Sequence, residues 1–246
     1  MKTLSQSDLN FVLSRCPRDI LKLLKSNPGR LFLAGGFIRA TIAGEKVSDI
    51  DLFGTSADDL LRIAKDLTLE RKGRYFKTDN AVTVLSPPRI PVQFITRWVF
   101  DDAEKCIVSF DFTVCQSVIW AQKFDDSENP EKSYYKFHSM ISDSFYADLA
   151  ARRLVYTFPV REEEPGGSFM RVLKFVKRGY NVQAPSLAGV ISRILSRLDI
   201  SKIQKKDGDI DEFKAAMVIT GLLRQVDPLT VIDGVDFVDE HEGIQP

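Results

Sequence analysis

Between residues 8 and 27 apolar side chains recur at helical spacing. Ile20, Leu21, Leu23 and Leu24 form one face, with a break and restart at Pro17. Asn27-Pro28-Gly29 stops that helix. Residues 31–34 are an unbroken apolar run of strand length. Gly35-Gly36 then turns the chain, residues 37–43 fit a short helix ended by Gly44, and residues 49–53 make a second strand. Ser56, with Asp59 three positions on, reads as a capping box opening a helix over 57–67. The period next shifts to two. Residues 74–77, 81–85 and 91–96 predict successive strands of one sheet, with Pro87-Pro88 turning the chain between the last two. Residues 112–120 are apolar enough for a strand or a helix, and 134–138 fit a short strand. From residue 142 the helical period returns, over 144–155, 168–180, 186–198 and 209–225, with 162–167 as an exposed loop. A mixed head followed by a helical body predicts an α+β fold. The division expected is a head over residues 1–138 and a helical domain over 139–246 that ends in an acidic tail from Asp227.

Charge changes this picture only locally. Lys plus Arg number 34 and Asp plus Glu number 34, so no global pull toward nucleic acid exists. Residues 152–178 are nevertheless rich in base, and a neutral total can conceal a basic face. No apolar run reaches the roughly 18 residues of a membrane span. Met1-Lys2-Thr3-Leu4-Ser5-Gln6-Ser7 lacks the apolar core of a signal peptide. Cys16, Cys106 and Cys115 follow no paired spacing and read as reduced thiols, which predicts a cytoplasmic protein. With only His138 and His241, a histidine-ligated zinc site is not expected.

The candidate chemistry lies in residues 31–53. A Gly-Gly turn from strand to helix lets the backbone approach a ligand closely. It presents the N–H groups and positive dipole end of the helix to a phosphate. Arg39 stands one turn into that helix and adds a charge for the same ligand. Asp49 and Asp51 are two apart on the following strand, which places both carboxylates on one face. Two acids held together call for a cation. Mg²⁺ takes one or two carboxylates plus substrate phosphates, and a two-metal site would activate an attacking hydroxyl and steady a leaving pyrophosphate. Arg152, Arg153, Arg171, Lys174, Lys177 and Arg178 recur at helical spacing, as a phosphate groove or as a solvated face. Phe110, Phe112, Tyr134, Tyr135 and Phe137 are candidates for base stacking, although core packing is the commoner use of strand aromatics. Asp58 and Asp59 are better explained as helix-capping acids, and His138 as a structural or surface residue.

In these residues the chain resembles the head domain of class II CCA-adding tRNA nucleotidyltransferases and bacterial poly(A) polymerases, within the polymerase-β-like nucleotidyltransferase superfamily. Their first motif runs Gly-Gly-x-x-Arg-Asp, a short helix, then Asp-x-Asp. Gly35, Gly36, Arg39, Asp49 and Asp51 match it, and Ala40 replaces the acid after the arginine. The Asp-Phe-Thr of a second motif is matched by Asp111-Phe112-Thr113 without its two arginines. Arg171 and Lys174 take the two basic positions of a third motif, whose Glu-Asp pair is absent. Where the superfamily often carries a third carboxylate on a neighbouring strand, the chain offers Gln93.

The resemblance implies a nucleotidyltransferase-type mixed sheet flanked by helices, with a small helical body after it. It implies transfer of NMP from an NTP to an acceptor hydroxyl, most simply an RNA or tRNA 3′ end, with release of pyrophosphate. Asp49 and Asp51 would hold Mg²⁺, or Mn²⁺ in its place. Gly35, Gly36 and Arg39 would hold the β- and γ-phosphates. Asp111 would meet the ribose or complete the metal site, and Arg171 and Lys174 would approach the base or the α-phosphate. The departures motivate an alternative, a catalytically degenerate module that binds a nucleotide or nucleic acid without turnover.

Overall fold

The computed structural model describes residues 1–125, 133–159, 166–205 and 207–224. It divides into two compact units, Met1–Ala151 and the residues from Arg152 onward.

The first unit opens with two helices, α1 (Gln6–Arg15) and α2 (Arg18–Ser26). Pro17 separates them as the N-cap of α2. Ser5 caps α1 by accepting the Asp8 N–H at 3.1 Å. Strand β1 (Leu31–Ala34) follows, then α3 (Gly36–Ala43), β2 (Ile50–Gly54) and α4 (Ala57–Arg71). Gly44 ends α3 in the left-handed conformation, and Ser56 caps α4 by accepting the Asp59 N–H at 3.3 Å. Next come β3 (Arg74–Lys77), β4 (Ala81–Leu85) and β5 (Val92–Ile95). Helix α5 (Ala103–Val108), a 3-10 turn over Thr113–Cys115, β6 (Ser117–Asp125), β7 (Ser133–Ile141) and α6 (Phe145–Ala150) complete the unit.

The strands form one sheet in the order β3-β4-β5-β2-β1-β6-β7. Only β2 and β5 run parallel; the other neighbours are antiparallel. Registers fix which side chains share a face. Leu52, Leu33 and Ile119 stand directly across from one another, and Ser139 continues the row onto β7. Helix α4 packs on this side of the sheet through Leu60 beside Gly54, and α2 through Lys25 over Phe137. Asp51 has the opposite parity, on the face of Phe32, Ala34, Phe53 and Val118. There α5 supplies Ala103, Cys106 and Ile107 to a second buried cluster, joined by Phe110 and Trp120. The α+β architecture expected from the sequence, a mixed sheet flanked by helices, is the one observed.

Two differences have clear physical causes. A boundary after His138 would fall inside β7, because Ser139–Ile141 continues the ladder against Ser117–Ile119; the compact units divide after Ala151 instead. The helix expected over 144–155 ends at Ala150. Arg152 takes a positive φ of 46°. Its guanidinium donates to the Arg178 carbonyl at 2.8 Å and lies over the Tyr180 ring. Arg153–Leu154 then forms β8. It runs parallel to β9 (Asn181–Val182), which follows α7 (Gly167–Lys177). The second unit continues with α8 (Ala184–Leu195), α9 (Ile200–Ile203) and α10 (Glu212–Arg224). Residues 162–165 of the expected loop and the acidic tail from Asp227 lie outside the described residues.

Candidate active site

The site is built where β1 ends and β2 begins. Because Leu33 pairs with Leu52 in an antiparallel ladder, the C-terminal end of β1 lies beside the N-terminal end of β2. Gly35 has φ 76°, a conformation that L side chains rarely adopt. A Cβ there would come within 3.0 Å of Phe110 Cε1. The Gly35 N–H donates to the Ser117 carbonyl at 2.9 Å, so β6 anchors the turn. Gly36 differs: a Cβ on it would meet no heavy atom within 4 Å. The fold requires the first glycine, whereas the second faces open space at the start of α3. That space is what a phosphate approaching the first-turn N–H groups would use.

Ile50 and Leu52 are fully buried, and Asp49 and Asp51 alternate with them as partly exposed residues. Asp49 stands immediately before β2, and the Ser48 hydroxyl donates to its Oδ1 at 2.9 Å. Asp51 lies within β2, directly across from Gln93 of β5. The strand neighbour that could offer a third carboxylate therefore presents a buried amide. Among the described residues, no three His, Cys, Asp or Glu side chains come together as a metal-binding group. Two carboxylates suffice for Mg²⁺ when phosphates supply further oxygens, so the donor set fits a metal that arrives with a triphosphate better than a resident ion.

Arg39 is inside the fold. Its side chain is 6% exposed, its Nε is 3.6 Å from Glu45 Oε2, and its Nη1 is 3.9 Å from Cys115 Sγ. Asp111 is 1% exposed, in the loop after α5. The following Thr113 donates its hydroxyl to Asp148 Oδ2 at 2.6 Å, and Ser144 donates to the same oxygen at 2.7 Å. Asp148 is fully buried and ties the Asp111-Phe112-Thr113 segment to α6. Phe112 is core, and Phe110 packs edge-on against Phe53. Arg171 and Lys174 stand three positions apart on α7, half-buried, in the second unit.

Sequence reasoning missed Ser48, Glu45 and Asp148. Ser48 had a signal, since a hydroxyl beside an acid commonly donates to it. Glu45 and Asp148 had none, because their partners are set by tertiary packing.

A family model described as Gabija anti-defense 2 family protein matches residues 4–152, nearly the same span as the first compact unit. No curated protein sequence matches the chain. Solved structures do. A Thermotoga maritima CCA-adding enzyme complexed with tRNA is similar with a TM-score of 0.53 at 14% identity, over 98% of this chain and 58% of that one. A CCA-adding enzyme in an apo form gives 0.53 at 15% identity, over 94% and 57%. A complex of CCA-adding enzyme with CTP gives 0.51 at 15% identity, over 94% and 57%. The chain thus spans under three fifths of the length of these enzymes, and at such identities the likeness is one of fold. The family match covers more than half of the sequence, and the chain belongs to the Gabija anti-defense 2 family.

Proposed function

We propose that the chain is a Mg²⁺-dependent nucleotidyltransferase. The observation that carries this reading is the β1–Gly35-Gly36–α3–β2 unit, which sets an open helix start and two partly exposed carboxylates at the same end of adjacent strands. The N–H groups at the start of α3 bind the β- and γ-phosphates of an NTP, while the buried Arg39 keeps its charge against Glu45. Asp49 and Asp51 hold the metal, with Ser48 orienting Asp49. When bound, Mg²⁺ supplies charge stabilisation for the phosphates and lowers the pKa of a coordinated hydroxyl. The acceptor oxygen forms a bond to the α-phosphorus, its proton is lost to solvent, and the bond to the pyrophosphate oxygen breaks. Asp111 is proposed to meet the ribose.

An RNA 3′ end is the proposed acceptor, by analogy with the tRNA bound in a structure of similar fold. The family description makes action against a Gabija defence system the proposed setting for this chemistry. Incubation with each α-labelled NTP, Mg²⁺ or Mn²⁺, and total RNA or tRNA tests it. Label is expected in the RNA fraction, reduced at least a hundredfold by Asp49→Asn with Asp51→Asn. Equal incorporation by the double variant would overturn the proposal.

One observation favours a second reading. The residue paired across from Asp51 is the amide Gln93 rather than an acid, and a site with two carboxylates could bind a nucleotide without turning it over. NTP binding without pyrophosphate release on any acceptor would favour that reading.

A further inference from the structure

The β7 edge of the sheet carries a basic groove on the face opposite Asp51. On α2, Arg18, Lys22 and Lys25 follow at i, i+4 and i+7, so they share one stripe, and all three are exposed. With Leu21, Ser26 and Tyr135 of β7 they line a concavity of about 430 Å³. Tyr135 is 39% exposed. Two positions along β7 on the same face, Phe137 lies 5.6 Å below the Lys25 ammonium. Lys123 stands directly across from Tyr135 in the β6–β7 ladder.

Nearby acids leave this positive character largely in place. Glu70 is 3.7 Å from Lys22, but both are exposed, and such a pair is worth little in water. Asp125 is 3.9 Å from Lys123 under the same conditions. Asp19 is committed to Arg71 and Arg89 on the other flank of α2. The groove is also on the far side of the sheet from Asp51. The uninterrupted registers place Tyr135, Phe137 and Ser139 on the face of Ile119, Leu33 and Leu52, opposite Asp51.

We infer that this groove binds single-stranded nucleic acid. The cations form a rail about 10 Å long, from the helical rise per residue, which follows a short run of phosphates. The exposed Tyr135 ring gives a base a flat face to stack on, and Leu21 and Phe137 supply an apolar floor. Cations flanking an exposed aromatic ring are the combination by which single strands are held without sequence readout. An acidic peptide would satisfy the cations but leave the ring without a planar partner.

The test is fluorescence anisotropy of a short labelled oligouridylate, and of an oligothymidylate of equal length, with the full chain. NTP and Mg²⁺ are omitted, so failure here leaves the nucleotidyl-transfer reading untouched. The triple variant Arg18→Gln, Lys22→Gln, Lys25→Gln should bind at least tenfold more weakly. Its slope of log affinity against log salt should fall by about two. Tyr135→Ala should weaken binding at least about fivefold with the slope unchanged. All the substituted residues are exposed, and an unaltered thermal midpoint confirms folding. A folded triple variant that binds undiminished would overturn the inference. So would a wild type that binds neither strand, or that binds polyglutamate as tightly as oligouridylate.

Discussion

Gly35 and Gly36 are adjacent and chemically identical, yet they answer to different constraints. Gly35→Ala forces a side chain into a positive-φ position and against Phe110, and should cost about 1–3 kcal/mol in urea denaturation. Gly36→Ala adds a methyl group to open space at a helix start, where alanine is tolerated, so its urea midpoint should stay close to wild type. If phosphates sit at that helix start, NTP affinity should still fall; unchanged affinity would remove Gly36 from the site. Gln93→Glu tests the metal site in the opposite direction. A third carboxylate across from Asp51 should raise Mg²⁺ affinity measured without nucleotide, and no change would mean that Gln93 does not face the ion. The places of both glycines at the strand-to-helix turn and of both aspartates at the start of the second strand were legible in the sequence, because strong apolar runs bracket them. The interior course of Arg39 was not. Its spacing matched a phosphate contact, but its direction depends on Glu45 and Cys115, which only the folded chain brings together.

Between elements, α2 is tied to α4 by an ion pair that no local pattern announces. Arg71 has no exposed side-chain surface and grips Asp19 through two hydrogen bonds of 2.8 and 3.2 Å, with a third to the Ile90 carbonyl at 3.2 Å. Burial alone would raise the Asp19 carboxyl. The hydrogen bond and charge of Arg71, with the Ile20 N–H and Arg89, outweigh it and hold the group below the usual carboxylate range. A depressed folded pKa contributes stability above the unfolded value of about 3.9, and that stability is lost as pH falls through the folded value. Asp19→Asn should therefore flatten the acid limb of a stability–pH profile. Asp19→Ala should cost about 3–5 kcal/mol at neutral pH, by leaving Arg71 buried without its partner; an unchanged urea midpoint would contradict the role given to the pair. Beside it, burial first and then Asp19 push the Cys16 thiol up to about 12, against the opposing charge of Arg71. At this scale the sequence yielded most helices and strands through their periods. It did not reveal α5, whose six residues are too few to display a period, nor β8, whose short pairing with β9 is a tertiary contact.

For the whole molecule, the family match and the first compact unit coincide, which places the family's shared fold in the sheet that carries Gly35, Gly36, Asp49 and Asp51. The chain keeps that strand–turn–helix–strand arrangement. Gln93 stands opposite Asp51 where a third acid would otherwise be, and the metal proposed above is one that arrives with the nucleotide. Isothermal titration of each of the four NTPs, with and without Mg²⁺, into wild type and into Asp49→Asn with Asp51→Asn tests this most directly. Wild type should bind at least one NTP in a Mg²⁺-dependent manner, and the double variant should lose that binding. Absence of binding to all four, or equal binding by the double variant, would contradict it.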